Sequence, residues 1–434
     1  MTSRRDILKS AGLSFLSPNS LFVASASTPV QTPKQPIRHR TTRFGLNLHL
    51  DRFDDEAAFL QLAIAKSTGI QSIRGLVADL ARIEPKPGQW SFAKVDRDLA
   101  LLEEFRFESI GLLGYGVNWA STQAPNHVQE PAGSSFYPPD DLKIWAEYVQ
   151  RTVGRYHKRI NVWAPWNEPD NYDFFMSPYA GDVMNPEWYM ERRKKFLEIQ
   201  QLTYTITKSI SPGALVLSGG FSMGGNTDKG FLPWLIDHGL LDCCDALDVH
   251  SYWGIKFLES TFVDVRASLE KAGKPKPIWF TEFGAGLRKD QSWIGTFGFD
   301  QIASLAAKTV VTAIALGLDR LFWYQGYTEG SETTTLDDPG YSMSVTDGPT
   351  PAYWSFATMV QVLRGARYNG PVEVNGGSAR GHRFRIGRRE VIVLWALSPD
   401  GLDNRTAAAK CQLNWRGRNI PIALSDRPTV LTAG

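Results

Sequence analysis

From Phe44 onward the chain repeats one pattern: a short apolar run, a polar break, then a longer segment with its apolar residues along one helical face. Eight apolar runs stand out: 44–50 (FGLNLHL), 69–77 (GIQSIRGLV), 109–116 (SIGLLGYG), 159–166 (RINVWAPW), 214–220 (ALVLSGG), 246–253 (ALDVHSYW), 277–284 (PIWFTEFG) and 320–327 (RLFWYQGY). Each is bounded by Gly, Pro or charge, as strands buried on both faces are. Between them, 55–67 aligns Phe59, Leu62 and Ala63, and 142–157 aligns Ile144, Trp145, Tyr148 and Val149, which predicts amphipathic helices. Strands alternating with helices predict a parallel sheet, and eight such units predict an α/β fold closed into a (β/α)₈ barrel over 44–365. An open doubly wound sheet is the alternative, but no Gly-rich dinucleotide turn follows the first run.

The texture changes after Arg364. Residues 366–434 alternate apolar and polar in short runs, punctuated by Gly376-Gly377, Pro399-Asp400-Gly401 and Arg416-Gly417. That predicts a small C-terminal all-β domain of hairpins, sandwich-like in build. At the other end, residues 27–43 are rich in Pro, Thr and basic side chains and read as a linker. Residues 1–26 begin with Ser3-Arg4-Arg5-Asp6-Ile7-Leu8-Lys9, continue with a modest apolar stretch and end near Ala24-Ser25-Ala26. They resemble a twin-arginine export signal, with Ile7 where Phe is usual, and imply a periplasmic or extracellular protein without a membrane anchor once the signal is removed.

Charge narrows the partners. A net +2 over 434 residues gives no electrostatic reason to expect nucleic acid or an anionic membrane surface. Cys243, Cys244 and Cys411 are too few for a disulfide framework or a four-cysteine zinc site; one bridge from Cys411 to the 243–244 pair, or three thiols, are the open readings. The seven His are scattered and no His-Glu-x-x-His pattern occurs, so neither a metal nor another cofactor is expected. Fourteen Trp, 14 Tyr and 23 Phe exceed what a core alone needs, and flat rings suit sugar faces.

In such a barrel, chemistry sits at the carboxyl ends of the strands. The fourth run ends Trp166-Asn167-Glu168-Pro169 and the seventh ends Thr281-Glu282-Phe283-Gly284. Each puts a carboxylate where burial is costly unless the charge is used or paired. Strands four and seven face each other across eight, so the two acids can flank one scissile bond. A retaining glycosidase needs that arrangement: one carboxylate attacks while the other carries a proton. A competing motif, Gly220-Phe221-Ser222-Met223-Gly224, has the Gly-x-Ser-x-Gly spacing of a serine esterase elbow. Yet it continues into Gly225-Asn226-Thr227-Asp228-Lys229-Gly230 rather than a helix, and Asp248 and His250 lie too close together for the usual triad order. A barrel that binds carbohydrate without cleaving it is a third reading, against which the presence of both acids argues.

These residues, together with Gly69-Ile70-Gln71-Ser72-Ile73-Arg74, Ile83-Glu84-Pro85, Gly88-Gln89-Trp90-Ser91-Phe92 and Asp96, resemble the clan A glycoside hydrolases over most of 44–365. Families 39 and 5 of that clan are the most similar. Asp170 stands where family 39 usually has Asn, and Phe283 where it usually has Trp. The resemblance implies Glu168 as general acid/base, Glu282 as nucleophile and Asn167 as the partner of the substrate 2-hydroxyl. It also implies a carbohydrate substrate with an equatorial, mostly β linkage.

Arg74 closes the second strand and either holds the nucleophile ionised, as the clan suggests, or makes a structural ion pair. His250 and Tyr252, two apart on a strand, share a face and are expected near the nucleophile or sugar. Trp323 is the expected floor under the sugar. Trp119, Trp166 and Trp253 are expected to be either cleft walls or core, with Asn47 and His49 as weaker site residues. The aromatic loop 170–186 is an expected cover over the substrate.

Overall fold

The computed structural model describes residues 42–122, 134–176, 186–252, 254–285, 299–326, 344–345, 348–376, 378–398 and 407–433. All eight predicted runs contain strands: β1 (Arg43–Asn47), β2 (Ser72–Val77), β3 (Glu108–Leu113), β4 (Val162–Pro165), β5 (Leu215–Val216), β6 (Leu247–Tyr252), β7 (Ile278–Gly284) and β8 (Arg320–Trp323). They are joined in parallel in the order β5-β4-β3-β2-β1-β8-β7-β6. Parallel bridges Leu217–Ala246 and Phe221–Val249 join the two edges, so the sheet closes on itself. The closed barrel replaces the open-sheet alternative.

A helix follows each strand in turn: α1 (Asp55–Ser67), α2 (Ala93–Glu104), α3 (Leu142–Tyr156), α4 (Pro186–Ile210), α5 (Phe231–Asp237), α6 (Ile255–Lys271), α7 (Phe299–Leu316) and α8 (Pro351–Val362). Local chemistry sets their starts. The Asp54 side chain accepts from the Ala57 amide at 2.8 Å, and that of Asp141 from the Lys143 amide at 2.9 Å, each satisfying an orphan N–H of the first turn. The apolar stripe of α3 (Trp145, Tyr148, Val149, Val153, Tyr156) is buried against the barrel. Inside the barrel, Ile110, Val162, Ala164, Leu217, Ala246, Trp279 and Phe322 form an apolar plug. Toward the carboxyl ends of the strands the inward positions turn polar, and the candidate site lies there.

The C-terminal strands are β9 (Arg367–Pro371), β10 (Val374–Asn375), β11 (Ala379–Ile386), β12 (Arg389–Ala396), β13 (Ala408–Trp415), β14 (Arg418–Ser425) and β15 (Thr429–Ala433). They form two antiparallel sheets, β9-β11-β12-β15 and β10-β13-β14. Strand β12 is buried on both faces: Ile392, Leu394 and Ala396 pack with Cys411, Leu413 and Leu424 of the second sheet, while Val391, Val393 and Trp395 join the main core. Ion pairs Arg380–Glu259 and Arg427–Asp300, both 2.7 Å, tie these sheets to α6 and α7.

No disulfide joins the three buried cysteines; Cys411 lies within the C-terminal sheets and Cys243 and Cys244 in the main core, which rules out the bridge considered above. Among the described residues no helix is long and apolar enough to cross a membrane. The export-signal residues 1–26 and nearly all of the 27–43 linker lie outside the described residues.

Candidate active site

Glu168 is delivered by a tight turn at the end of β4. Trp166 and Glu168 both take left-handed backbone conformations, φ 62° and 48°, which side-chain-bearing residues adopt only when their surroundings enforce them. The enforcement is visible. The Trp166 ring is fully buried against Tyr115, Trp145 and Phe175, and its indole N–H donates to the Phe174 carbonyl at 2.7 Å. The Glu168 amide donates to the Gly220 carbonyl at 2.8 Å.

Glu282 is aimed by a β-bulge. In the β6–β7 register Val249 faces Phe280 but His250 faces Glu282, leaving Thr281 as the extra residue. A bulge lets two consecutive side chains break the strict alternation of a strand. Thr281 and Glu282 accordingly both reach the inward-facing His250. Strand β2 slips likewise between Arg74 and Leu76 against β3. Gly75 sits in that slip, where a Cβ would lie 1.6 Å from the Leu48 carbonyl oxygen, so no larger residue fits without moving the backbone.

These devices converge on one cluster. Arg74 Nη1 donates to Glu282 Oε1 at 2.5 Å and to Asn47 Oδ1 at 3.0 Å, while Nη2 donates to Asn167 Oδ1 at 2.5 Å. The Tyr252 hydroxyl donates to Glu282 Oε2. His250 Nδ1 lies 2.8 Å from Glu168 Oε1 and 3.5 Å from Glu282 Oε2. Asn171 Nδ2 donates to Glu168 Oε2 at 3.0 Å, and Asn167 Nδ2 to the Tyr115 hydroxyl at 3.3 Å. A carboxylate oxygen of Glu168, one of Glu282 and a ring nitrogen of His250 all lie within 4.8 Å of one another. Three donors so close can also share a metal ion, although Arg74 and Tyr252 already bond both oxygens of Glu282.

The electrostatics separate the groups. Burial works to raise the Glu282 carboxyl, but the charges of His250 and Arg74 and the hydrogen bonds from Tyr252 and Arg74 outweigh it and hold it below the usual carboxylate range. Burial likewise works against a charged His250, and Glu282 and Glu168 reverse it, so the imidazole is pushed upward. The Tyr252 phenol is driven well above its ordinary value by burial and by Glu282 and Glu168, and stays a donor.

The sequence-predicted residues divide. Glu168, Glu282, Asn167, Arg74, His250 and Tyr252 come together, and Arg74 is the direct partner of Glu282. Trp323 is a correction. Its ring is 1% exposed and packs against Phe283 and Phe356 in the helix layer, because Phe322 takes the inward position and alternation turns Trp323 outward. Tyr324 is the aromatic beside the cluster, edge-on to Tyr252 and His49 with centroids 6.0 and 6.2 Å away.

Trp119 is half-buried past β3, its indole N–H on the Glu84 carbonyl at 3.0 Å. Trp166 is core. Trp253 and residues 177–185 of the aromatic loop lie outside the described residues. Asn47 braces Arg74 and bonds the Thr281 carbonyl at 2.9 Å. His49 is pushed down to about 4 by burial and by Arg52.

Ser222 does not form an esterase elbow. The next helix, α5, begins only at Phe231, and the Ser222 and Met223 amides donate to the Asp170 carboxylate at 2.8 and 3.1 Å. Gly220 has another use: a Cβ there would collide with the His250 ring. Tyr115, Asn171, Thr281, Asp248 and Tyr324 were missed from sequence. Asp248 and Tyr324 carried a signal, each two residues from an inward-facing neighbour.

No protein-family profile and no curated protein sequence matches this chain. Solved structures do. A family 39 glycoside hydrolase from the gut symbiont Bacteroides cellulosilyticus is similar at a TM-score of 0.66 and 15% identity, over 90% of this chain and 80% of that one. A glucosidase from Croceicoccus marinus is similar at 0.55 and 14%, over 85% and 76%. An endo-β-1,4-mannanase from Thermotoga petrophila is similar at 0.51 and 12%, over 89% and 97%. The chain therefore has the (β/α)₈ fold on which these glycoside hydrolases are built, with antiparallel β-sheets appended at its C-terminal end.

Proposed function

We propose that the protein is a retaining glycoside hydrolase in which Glu282 attacks the anomeric carbon and Glu168 protonates the leaving oxygen, then deprotonates the incoming water. The observation that carries this is the separation of the two acids, with carboxylate oxygens within 4.8 Å of each other. A double displacement works at about 5–5.5 Å, whereas an inverting enzyme needs about 6.5–9.5 Å to admit water. The ionised state favoured at Glu282 suits a nucleophile. As the first half-reaction proceeds, negative charge leaves Glu282 and appears on Glu168. His250, 3.5 Å from one and 2.8 Å from the other, attends both.

The clan resemblance supports the substrate class: an oligo- or polysaccharide with an equatorial, mostly β linkage. We take 44–365 as the catalytic barrel, 366–434 as the β-domain and 27–43 as the linker. We take 1–26 as a twin-arginine signal that sends the folded enzyme to the periplasm or beyond. Loss of export of a reporter fused to residues 1–26 on joint Arg4→Lys and Arg5→Lys substitution is the expected result, and unchanged export rejects the signal.

A screen of aryl glycosides and β-linked polysaccharides tests the reaction. Hydrolysis is expected with the native chain and absent in Glu282→Gln. Azide is expected to rescue Glu282→Gly with inverted product and Glu168→Ala with retained product. Full activity in Glu282→Gln sinks the assignment.

A further inference from the structure

Beneath the two acids runs a chain of hydrogen bonds that the reaction just described does not itself use. His250 Nε2 lies 3.1 Å from the Thr281 hydroxyl oxygen, and that hydroxyl donates to Asp248 Oδ2 at 2.8 Å. The Thr281 amide, released from the ladder by the bulge, donates to Asp248 Oδ1 at 3.2 Å. Asp248, His250 and Thr281 are each 0% exposed, so bulk water does not take the place of any partner.

Counting protons along this chain gives a direction. The Thr281 hydroxyl has one hydrogen. With that hydrogen on Asp248, its oxygen can only accept from His250, which requires Nε2–H. At the other end, with the acid proton of Glu168 carried on Oε2, its Oε1 2.8 Å from Nδ1 can only accept, which calls for Nδ1–H. Both ring nitrogens then carry protons.

We propose that Asp248, acting through the Thr281 hydroxyl, is a positioning residue that keeps His250 doubly protonated and its Nδ1–H aimed at Glu168 through both half-reactions. The inference rests on the glycosidase reading for its purpose and on the hydrogen-bond chain for its existence. The charged and titratable groups facing His250 are Glu168 from the β4 turn, Glu282 from β7, Arg74 from β2 and Asp248 from its own strand. Glu282 and Glu168 raise the imidazole against the opposing effects of burial and Arg74. Burial pushes Asp248 up as well, opposed by His250, Arg74 and the two Thr281 donors.

Asp248→Asn separates this role from a merely structural one. Its amide oxygen still accepts from the Thr281 amide, so the bulge keeps its tie. Its NH₂ now donates to the Thr281 oxygen, which turns the hydroxyl toward His250 Nε2 and leaves the ring singly protonated. Nitrogen NMR of ¹⁵N-histidine-labelled full-length protein, with His250 identified by its loss in His250→Gln, reads this directly. Two protonated ring nitrogens are expected in the native chain and in Thr281→Ser at neutral pH, and one in Asp248→Asn and Thr281→Val.

In kinetics, the alkaline limb of kcat/KM is expected to move to lower pH by about one unit in Asp248→Asn, with a loss of about tenfold at neutral pH. Thr281→Ser is expected to restore the native profile. A singly protonated His250 in the native chain overturns the proposal, as does an Asp248→Asn protein whose ring signals and pH profile are unmoved. A native chain that shows the expected nitrogen signals but hydrolyses no glycoside leaves the relay standing and removes the glycosidase reading.

Discussion

The guanidinium of Arg74 meets the carboxylate of Glu282 at 2.5 Å across 208 residues of sequence, with both side chains under 10% exposed. The same guanidinium holds Asn167 and Asn47, so one residue fixes the orientation of three others. Removing one member of a buried pair leaves the other charge uncompensated, at a cost of about 3–5 kcal/mol. Arg74→Ala is therefore expected to lower both the denaturant midpoint and kcat/KM, the latter by about a hundredfold. Arg74→Lys is expected to recover stability only in part and activity little, because a point ammonium lacks the planar fork that reaches Glu282 and Asn167 together. Wild-type activity in the lysine variant would contradict this.

Asn167 has its amide orientation set from both sides, by Arg74 on the oxygen and Tyr115 near the nitrogen. If it bonds the sugar 2-hydroxyl in the transition state, Asn167→Ala and a 2-deoxy substrate remove the same interaction. Each alone is expected to reduce kcat/KM by about a hundredfold or more, and the two together by little more than either. Fully multiplicative losses would reject the pairing.

Trp323 and Tyr324 are adjacent but are expected to respond differently. Trp323→Ala opens a cavity in the layer shared with Phe283 and Phe356, and is expected to cost about 3–5 kcal/mol in chemical denaturation while leaving KM nearly unchanged in the remaining folded enzyme. Tyr324→Ala is expected to raise KM at smaller cost in stability, since its ring stands beside Tyr252 and His49. A large KM effect from Trp323→Ala alone would restore Trp323 as the sugar floor.

Asp79 sits past the end of β2 with its carboxyl pushed from 3.8 up to about 7 by burial, Arg82 opposing. A carboxyl whose folded value is raised contributes stability that is fully present below 3.8 and lost as pH rises through about 7. Asp79→Asn removes that dependence. Denaturant midpoints are expected to show the native chain losing ground to the variant between pH 5 and pH 8, by on the order of a few kcal/mol. Parallel pH curves for the two proteins would show that Asp79 does not titrate in this window.

Much of this was legible in sequence for a physical reason. Burial on both faces makes a short apolar run, and burial of one stripe makes a helical periodicity, and both are local properties of the chain. Hence the eight strands, α1 over Asp55–Ser67 and the placing of Glu168 and Glu282 at strand ends were readable before any contact was known. What a strand end presents to its neighbours is not local. The slip at Thr281 depends on the register of β6 against β7, the slip at Gly75 on the approach of Leu48, and the outward turn of Trp323 on Phe322 filling the barrel. Only closing the barrel brought Arg74 of β2 to Glu282 of β7 and His250 of β6 to Glu168 at the end of β4, because those contacts join strands that are not consecutive in the sequence.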